Sequence, residues 1–341
     1  MTPQRLESIP KTVRLKDVAA AAGVSVSTAS RVLSGALNTS AGAEAAVRAA
    51  SKRLRYRPNP IARALRAQTS GLAGMVVPGI GNPFFAELVE AVERALHDAE
   101  LDLILADSMG SLEGEARRIE TMVDRKVDGL IVIPSHQSES TDTLVRAQAS
   151  VPIVQLDRQT DGFHGDFVGV DNQLGIQMVI EHLAQQDCKR IVFVSDAGVS
   201  STGRSRLETF ERAIANVEGV RADPPLLGSF SVDFGREAVR QLIAEQRVPQ
   251  AIVCGSDIVA LGVTRELHEH GLRIPGDVRI TGFDGIVFAE LCDPPLTTVE
   301  QPVSSIAEEA VRLLVMRMDG DTSPPRRSEI APKLVIRESS A

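Results

Sequence analysis

Residues 15–35 read LKDVAAAAGVSVSTASRVLSG, and this stretch decides what stands at the N-terminus. Leu15, Val18, Ala19 and Ala22 recur at the three- and four-residue spacing that gives a helix one apolar face. Gly23 follows, the residue type that closes a helix in the left-handed conformation. Ser25 is placed to cap a second helix, Val26 to Leu33, with Ala29, Val32 and Leu33 turned inward and Ser27, Thr28 and Arg31 outward. Ser40 is placed to cap a third, amphipathic helix through Ala46, Val47, Ala50 and Leu54. Two short helices joined by a glycine turn, the second opening on small hydroxyl residues, make a helix-turn-helix whose second helix can read base edges in a DNA major groove. A three-helix, alanine-rich bundle without a DNA role has the same periodicity, so charge has to separate the two readings.

The net charge of −8 over 341 residues conceals a split. Residues 1–70 hold 12 Lys and Arg against Glu7, Asp17 and Glu44, a charge of +9, whereas the remainder carries −17. A basic folded head on an acidic body is the pattern of a chain that meets a polyanion at one end only. Outward from the helices, Asn59-Pro60-Ile61-Ala62-Arg63-Ala64-Leu65-Arg66 is a compact helix start, with Asn59 as cap and Pro60 at the first helical position. One or two turns of helix are marginal alone in water, so this segment is expected to order only when paired on DNA.

The sequence LKDVAAAAGVSVSTASRVLSG followed by YRPNPIARALR at residues 56–66 closely resembles the head and hinge of the lactose-repressor family (LacI/GalR), and the resemblance runs through the chain from about residue 13. It implies that Val26, Ser27 and Thr28 face bases, with Arg31 near bases or phosphate. It also implies that Asn59, Ala62 and Leu65 bind DNA, Leu65 as a wedge inserted from the minor groove of the kind that kinks a duplex. Arg14 departs from the family's usual Thr, so the first helix is expected to be frayed at its start or capped by Thr12. The organisation expected is a disordered tail at 1–12, an all-α helix-turn-helix domain at 13–58, a hinge at 59–70 and an α/β body at 71–341.

From Gly71 onward short apolar strands alternate with helices, the pattern of parallel sheets covered on both faces. Strands are expected at 72–77, 101–106, 129–133, 152–156, 190–194, 251–254 and 279–283. Asp107, Ser135, Asp157, Ser195, Ser256-Asp257 and Asp284 follow them, at the carboxyl edge where open α/β sheets bind ligands. The resemblance implies a periplasmic-binding-protein-like body of two doubly wound parallel-sheet subdomains, 71–170 with 302–327 and 171–301 with 328–341, crossed near Asp171, Gln301 and Arg327. It implies a sugar pocket of Asn82, Phe84, Phe85, Asp157, Arg158, Arg206, Ser256, Asp284 and Gln301. Aromatic faces can cover the CH surface of a sugar while Asp, Arg, Asn and Gln supply directional hydrogen bonds. Phe85 is expected to be the more buried of the two phenylalanines. Ser256 and Thr209 stand where the ribose-binding pattern has Asn and Gly, which points to a different or larger polyol.

Catalysis finds no constellation. Gly79-Ile80-Gly81 starts a dinucleotide fingerprint, but Phe84 occupies the third glycine position. The six histidines are dispersed without i+3 or i+4 partners, and Cys188, Cys254 and Cys292 lack C-x-x-C spacing, so neither a metal nor a cofactor is expected. No apolar run nears 18 residues and no signal peptide is legible, which makes the cytoplasm the expected location. The expectation is a homodimeric transcriptional regulator, a repressor, on a pseudo-palindromic operator, controlled by a small sugar or polyol. An exported solute-binding protein and a sugar-modifying enzyme are the readings set against it.

Overall fold

The computed structural model describes residues 13–33, 39–56 and 69–341, so the expected tail and the hinge residues Asn59, Ala62 and Leu65 lie outside the described residues. The chain divides into two compact units between Ser70 and Gly71.

In the first unit, α1 (Leu15–Ala22), α2 (Val26–Leu33) and α3 (Ala41–Leu54) pack around Val18, Ala19, Ala29, Val32, Val47 and Ala50. The start of α1 is held and not frayed, and Thr12, the other expected cap, lies outside the described residues. Arg14 takes the cap position and its backbone N–H donates to the Asp17 carboxylate at 2.8 Å, one half of a capping box made without a hydroxyl. Gly23, at φ +65°, closes the helix, and the Val24 N–H bonds to the Ala19 carbonyl. Ser25 Oγ accepts from the Thr28 N–H and Ser40 Oγ from the Ala43 N–H, so both expected caps are made.

The second unit has two sheets. The first lobe contributes β1 (Leu72–Val77), α4 (Pro83–Asp98), β2 (Asp102–Asp107), α5 (Leu112–Asp124), β3 (Gly129–Val132), α6 (Thr141–Gln148), β4 (Ile153–Leu156) and β5 (Asp166–Val170). The second contributes α7 (Asn172–Gln185), β6 (Arg190–Asp196), α8 (Ser201–Ala215), β7 (Arg221–Ala222), β8 (Leu226–Gly228), α9 (Val232–Ala244), β9 (Ala251–Cys254), α10 (Asp257–Glu269), β10 (Arg279–Asp284) and β11 (Thr297–Glu300). Then α11 (Val303–Met318) and β12 (Arg327–Ile330) return to the first lobe, and β13 (Lys333–Val335) ends in the second. The orders are β12-β5-β4-β3-β1-β2 and β13-β11-β10-β9-β6-β7, with β8 also on β6. All pairs are parallel except β11 with β13. Central strands such as β1, β3 and β9 are buried along almost their whole length, as sheets covered on both faces require.

The backbone crosses between lobes at Asp171, at Gln301-Pro302 and at Ala331-Pro332. The third crossing corrects the expected position near Arg327. Residues 327–330 pair in parallel with β5, and the Asp171 N–H bonds to the Ile330 carbonyl, so 328–330 belong to the first lobe. Strands β5, β7, β8, β11, β12 and β13 were not expected. They are short, and β7 and β12 carry exposed polar residues without an apolar run.

Candidate functional site

The carboxyl ends of both sheets face one crevice between the lobes of the body. Asn82, Phe84, Phe85, Asp157 and Arg158 line it from the first lobe; Thr202, Arg206, Phe230, Ser256 and Asp284 line it from the second. Eight of the nine residues expected there are thus brought together, and the ninth, Gln301, stands directly behind. Its Nε2 donates to Asp284 Oδ1 at 2.9 Å.

Local sequence explains how each side chain arrives. Asn82 caps α4, its Oδ1 accepting from the Phe84 N–H at 3.1 Å, and Pro83 fits the first helical position. That start delivers both aromatic rings to the crevice wall, their centroids 5.4 Å apart. The expected inequality between them is absent: Phe84 is 3% and Phe85 5% exposed, and both join the core. Asp157, just after β4, and Asp284, the last residue of β10, take φ +59° and +125°, backbone values that L-residues rarely adopt and that concentrate at binding sites.

Arg206 is the centre of the electrostatics. It is 2% exposed, donates from Nε to Asn172 Oδ1 at 2.7 Å and from Nη1 to the Gly255 carbonyl at 2.6 Å, and lies 3.5 Å from Asp284 Oδ1. Its guanidinium stacks 3.6 Å from the Phe283 ring centroid. Burial pushes Asp284 up toward about 8; Arg206 opposes the rise, while Asp257 and Asp157 reinforce it. Burial raises Asp157 too, against the attraction of Arg158 and Arg206. Asp257 is also raised by burial, but Thr298 Oγ1 and the Gly285 and Ile286 N–H groups donate to it. With three donors Asp257 is the better-held anion, so Asp284 keeps a proton more readily.

Three buried polar atoms lining the crevice lack a hydrogen-bond partner among the described residues, Asp157 Oδ1, Arg158 Nε and Ser256 Oγ, and Gln301 Oε1 behind Asp284 is a fourth. Such atoms are few in folded proteins, and their convergence marks a place where a ligand can complete them. Arg158 stands between the lobes, its Cζ 5.4 Å from the Phe85 centroid and 5.9 Å from that of Phe230. The free volume enclosed is about 10 Å3, room for roughly one water.

Not every polar residue at a strand end serves the crevice. The Asp107 carboxylate accepts from the Ile80 and Met109 N–H groups and shapes loops instead. Asp257 turns into the second lobe, and Thr209 is buried in α8, where it accepts from Arg212. Thr202 and Phe230 were missed. Thr202 stands four residues before Arg206 on α8, a spacing that could have revealed it; Phe230, in a loop, has no local signal.

On the head, Val26 and Ser27 are exposed, Thr28 is half-buried and Arg31 is exposed, all on α2. The Ser27 and Thr28 hydroxyls each lie 2.8 Å from Ser25 Oγ, one polar cluster at the start of the helix.

Residues 14–59 match the family model described as bacterial regulatory proteins, lacI family, and residues 180–340 match the periplasmic binding protein-like domain. A ribose operon repressor of Halalkalibacterium halodurans is 33% identical over 96% of both chains. The HTH-type transcriptional repressor PurR of Pasteurella multocida is 31% identical over 95% of this chain and 98% of its own. Among solved structures, a lac repressor dimer bound to operator and an anti-inducer superposes with a TM-score of 0.88 at 24% identity, covering 97% of this chain and 99% of that one. The CelR regulator in complex with cellobiose matches with a TM-score of 0.72 at 29% identity, over 96% and 99%.

Proposed function

The chain belongs to the lacI family of bacterial regulatory proteins, DNA-binding regulators controlled by small-molecule effectors, and from that premise we propose that its effector is a neutral monosaccharide held between the two lobes of the body. The observation that carries this reading is the set of unpartnered buried atoms lining the crevice, Asp157 Oδ1, Arg158 Nε and Ser256 Oγ, beside Phe84, Phe85 and Phe230, with Gln301 Oε1 unpartnered behind Asp284. Acceptors and donors in near balance suit hydroxyls, which are both, and the rings suit a sugar's CH face. Hydrogen bonds contribute about 0.5–1.5 kcal/mol each, and about 1.5–3 kcal/mol where the group is charged, as at Arg158, so the set holds a polar ligand that stacking alone would not. Binding, not catalysis, is the activity, and it is exercised in the cytoplasm on double-stranded operator DNA.

The space of about 10 Å3 is too small for a sugar, so entry requires the lobes to part. Contacts that must yield lie beside the crevice: the Gln137 N–H to the Val199 carbonyl at 3.0 Å, the Gln159 N–H to Ser201 Oγ at 2.9 Å, and the Val287 N–H to Glu87 Oε1 at 3.3 Å. Opening turns on the three crossings at 171, 301–302 and 331–332. In a homodimer this rotation alters the spacing of the two hinges, residues 59–66, and hence the fit of two heads to two half-sites. Val26, Ser27, Thr28 and Arg31 read the major groove, and Asn59, Ala62 and Leu65 the minor groove. A hundredfold change in operator affinity needs about 2.7 kcal/mol of difference in effector affinity between the two forms.

Calorimetric titration of the full chain with D-ribose and a panel of pentoses and hexoses tests the reading. One sugar is expected to bind and to shift operator mobility in a gel. Silence across the panel would sink it.

A further inference from the structure

The head carries a second concave, basic surface that the reading above does not use. The end of α2 and the last turns of α3 border a shallow, open groove of about 510 Å3 lined by Leu33, Arg48, Ser51, Lys52, Arg55 and Tyr56. Arg48, Lys52 and Arg55 follow one another at four- and three-residue spacing, which puts the three cations in one stripe. Glu44 pairs with Arg48 at 2.8 Å, an exposed and therefore weak bond. Lys52, Arg53 and Arg55 have no ion pair among the described residues, and the other described carboxylate of the head, Asp17, accepts from the Arg14 N–H.

Two details argue that the groove is built, beyond the ordinary enrichment of cations at a helix C-terminus. Arg55 sits at φ +50°, the left-handed position that closes α3 and that glycine or asparagine normally fills. The chain leaving the helix is pinned by Ser51, whose Oγ donates to the Tyr56 carbonyl at 3.4 Å and whose carbonyl accepts the Tyr56 N–H at 2.9 Å. Tyr56 packs on the head core, so the far wall of the groove is fixed.

We propose that this groove seats the sugar-phosphate backbone of the bound duplex, with Lys52 and Arg55 as its phosphate-neutralising cations and Arg48 at the rim. The position follows from chain geometry and rests on the reading that α2 enters the major groove and residues 59–66 the minor groove. The strand that separates those two grooves is the phosphate backbone, and the groove lies between the end of α2 at Leu33 and Tyr56, three residues before Asn59.

The test uses the full chain and a generic 30-base-pair duplex, with affinity read by fluorescence anisotropy between 50 and 200 mM salt. Each neutralised phosphate contributes about 0.9 to the slope of log K against log salt. Lys52→Gln and Arg55→Gln are each expected to flatten the slope by about 0.9 and to weaken binding about eightfold at 0.1 M salt. Arg53→Gln removes the same charge from the same turn but outside the groove, and its slope is expected to stay within about 0.3 of wild type. Equal flattening by Arg53→Gln would reduce the effect to net charge and overturn the groove. Unchanged slopes in Lys52→Gln and Arg55→Gln, with wild-type helix content by circular dichroism, would overturn it also. Failure of the wild-type chain to bind any duplex would instead remove the DNA reading beneath it, and the groove with it.

Discussion

Arg206→Met tests how the body holds its crevice together. The substitution keeps most of the stem's volume and removes the guanidinium. Two short hydrogen bonds go, to Asn172 Oδ1 at 2.7 Å and to the Gly255 carbonyl at 2.6 Å, and Asp284 loses the cation 3.5 Å from its Oδ1. Bonds to a charged group contribute about 1.5–3 kcal/mol each, which places the loss near 3–6 kcal/mol. At about 2–4 °C per kcal/mol for a unit of this size, Tm should fall roughly 6–24 °C.

The pH dependence carries the sharper information. Asp284 is raised above its unfolded value, so it contributes stability at low pH that is lost as pH climbs toward about 8. Arg206 offsets that loss by favouring the ionised form. Without it the carboxyl is raised further, so the deficit of Arg206→Met should stay flat from pH 6 to 7.5 and grow above about pH 8. Asp284→Asn in the same chain should abolish the growth. Urea denaturation followed by circular dichroism at pH 6, 7.5 and 9 measures all three. A deficit under about 1 kcal/mol, or one flat across this range, would refute the assignment of Arg206 as the counter-charge of the crevice.

Ser256 occupies the N-cap of α10 without capping it, so Ser256→Ala should leave Tm unchanged, whereas Ser231→Ala, which removes a bond to the Phe234 N–H, should cost about 1 kcal/mol; calorimetric melts compare them. His182 is held below its ordinary value, chiefly by burial, with its Nε2 2.8 Å from Ser340 Oγ. The unfolded chain therefore takes up the proton first, and stability should fall as pH drops through about 6.5, a slope that His182→Gln should flatten in acid melts. Leu65→Ala should weaken operator binding in a gel shift and leave sugar affinity unaltered in calorimetry; loss of both together would count against separate sites.

What the sequence determined by itself is what depends on neighbours along the chain. Gly23 closes α1, Ser25 and Ser40 cap the helices after them, and the apolar runs at 72–77 and 251–254 make strands buried on both faces, because these are local conformational and hydrophobic preferences. The split between a basic head and an acidic body was legible for the same reason, since charge adds along a chain. Tertiary structure alone decided which polar residue at a strand end is free to bind. Asp107 and Asp157 both stand at the carboxyl ends of strands, yet one is consumed by the N–H groups of Ile80 and Met109 and the other keeps Oδ1 unpartnered in the crevice. Asp257 and Asp284 divide likewise, because Thr298, Gly285 and Ile286 converge on only one of them. Phe230 joins the crevice from a loop, and 327–330 join the first sheet after the chain has been through the second. A hydrogen bond is satisfied by whatever the fold brings within about 3 Å, and for these residues the partners come from distant parts of the chain.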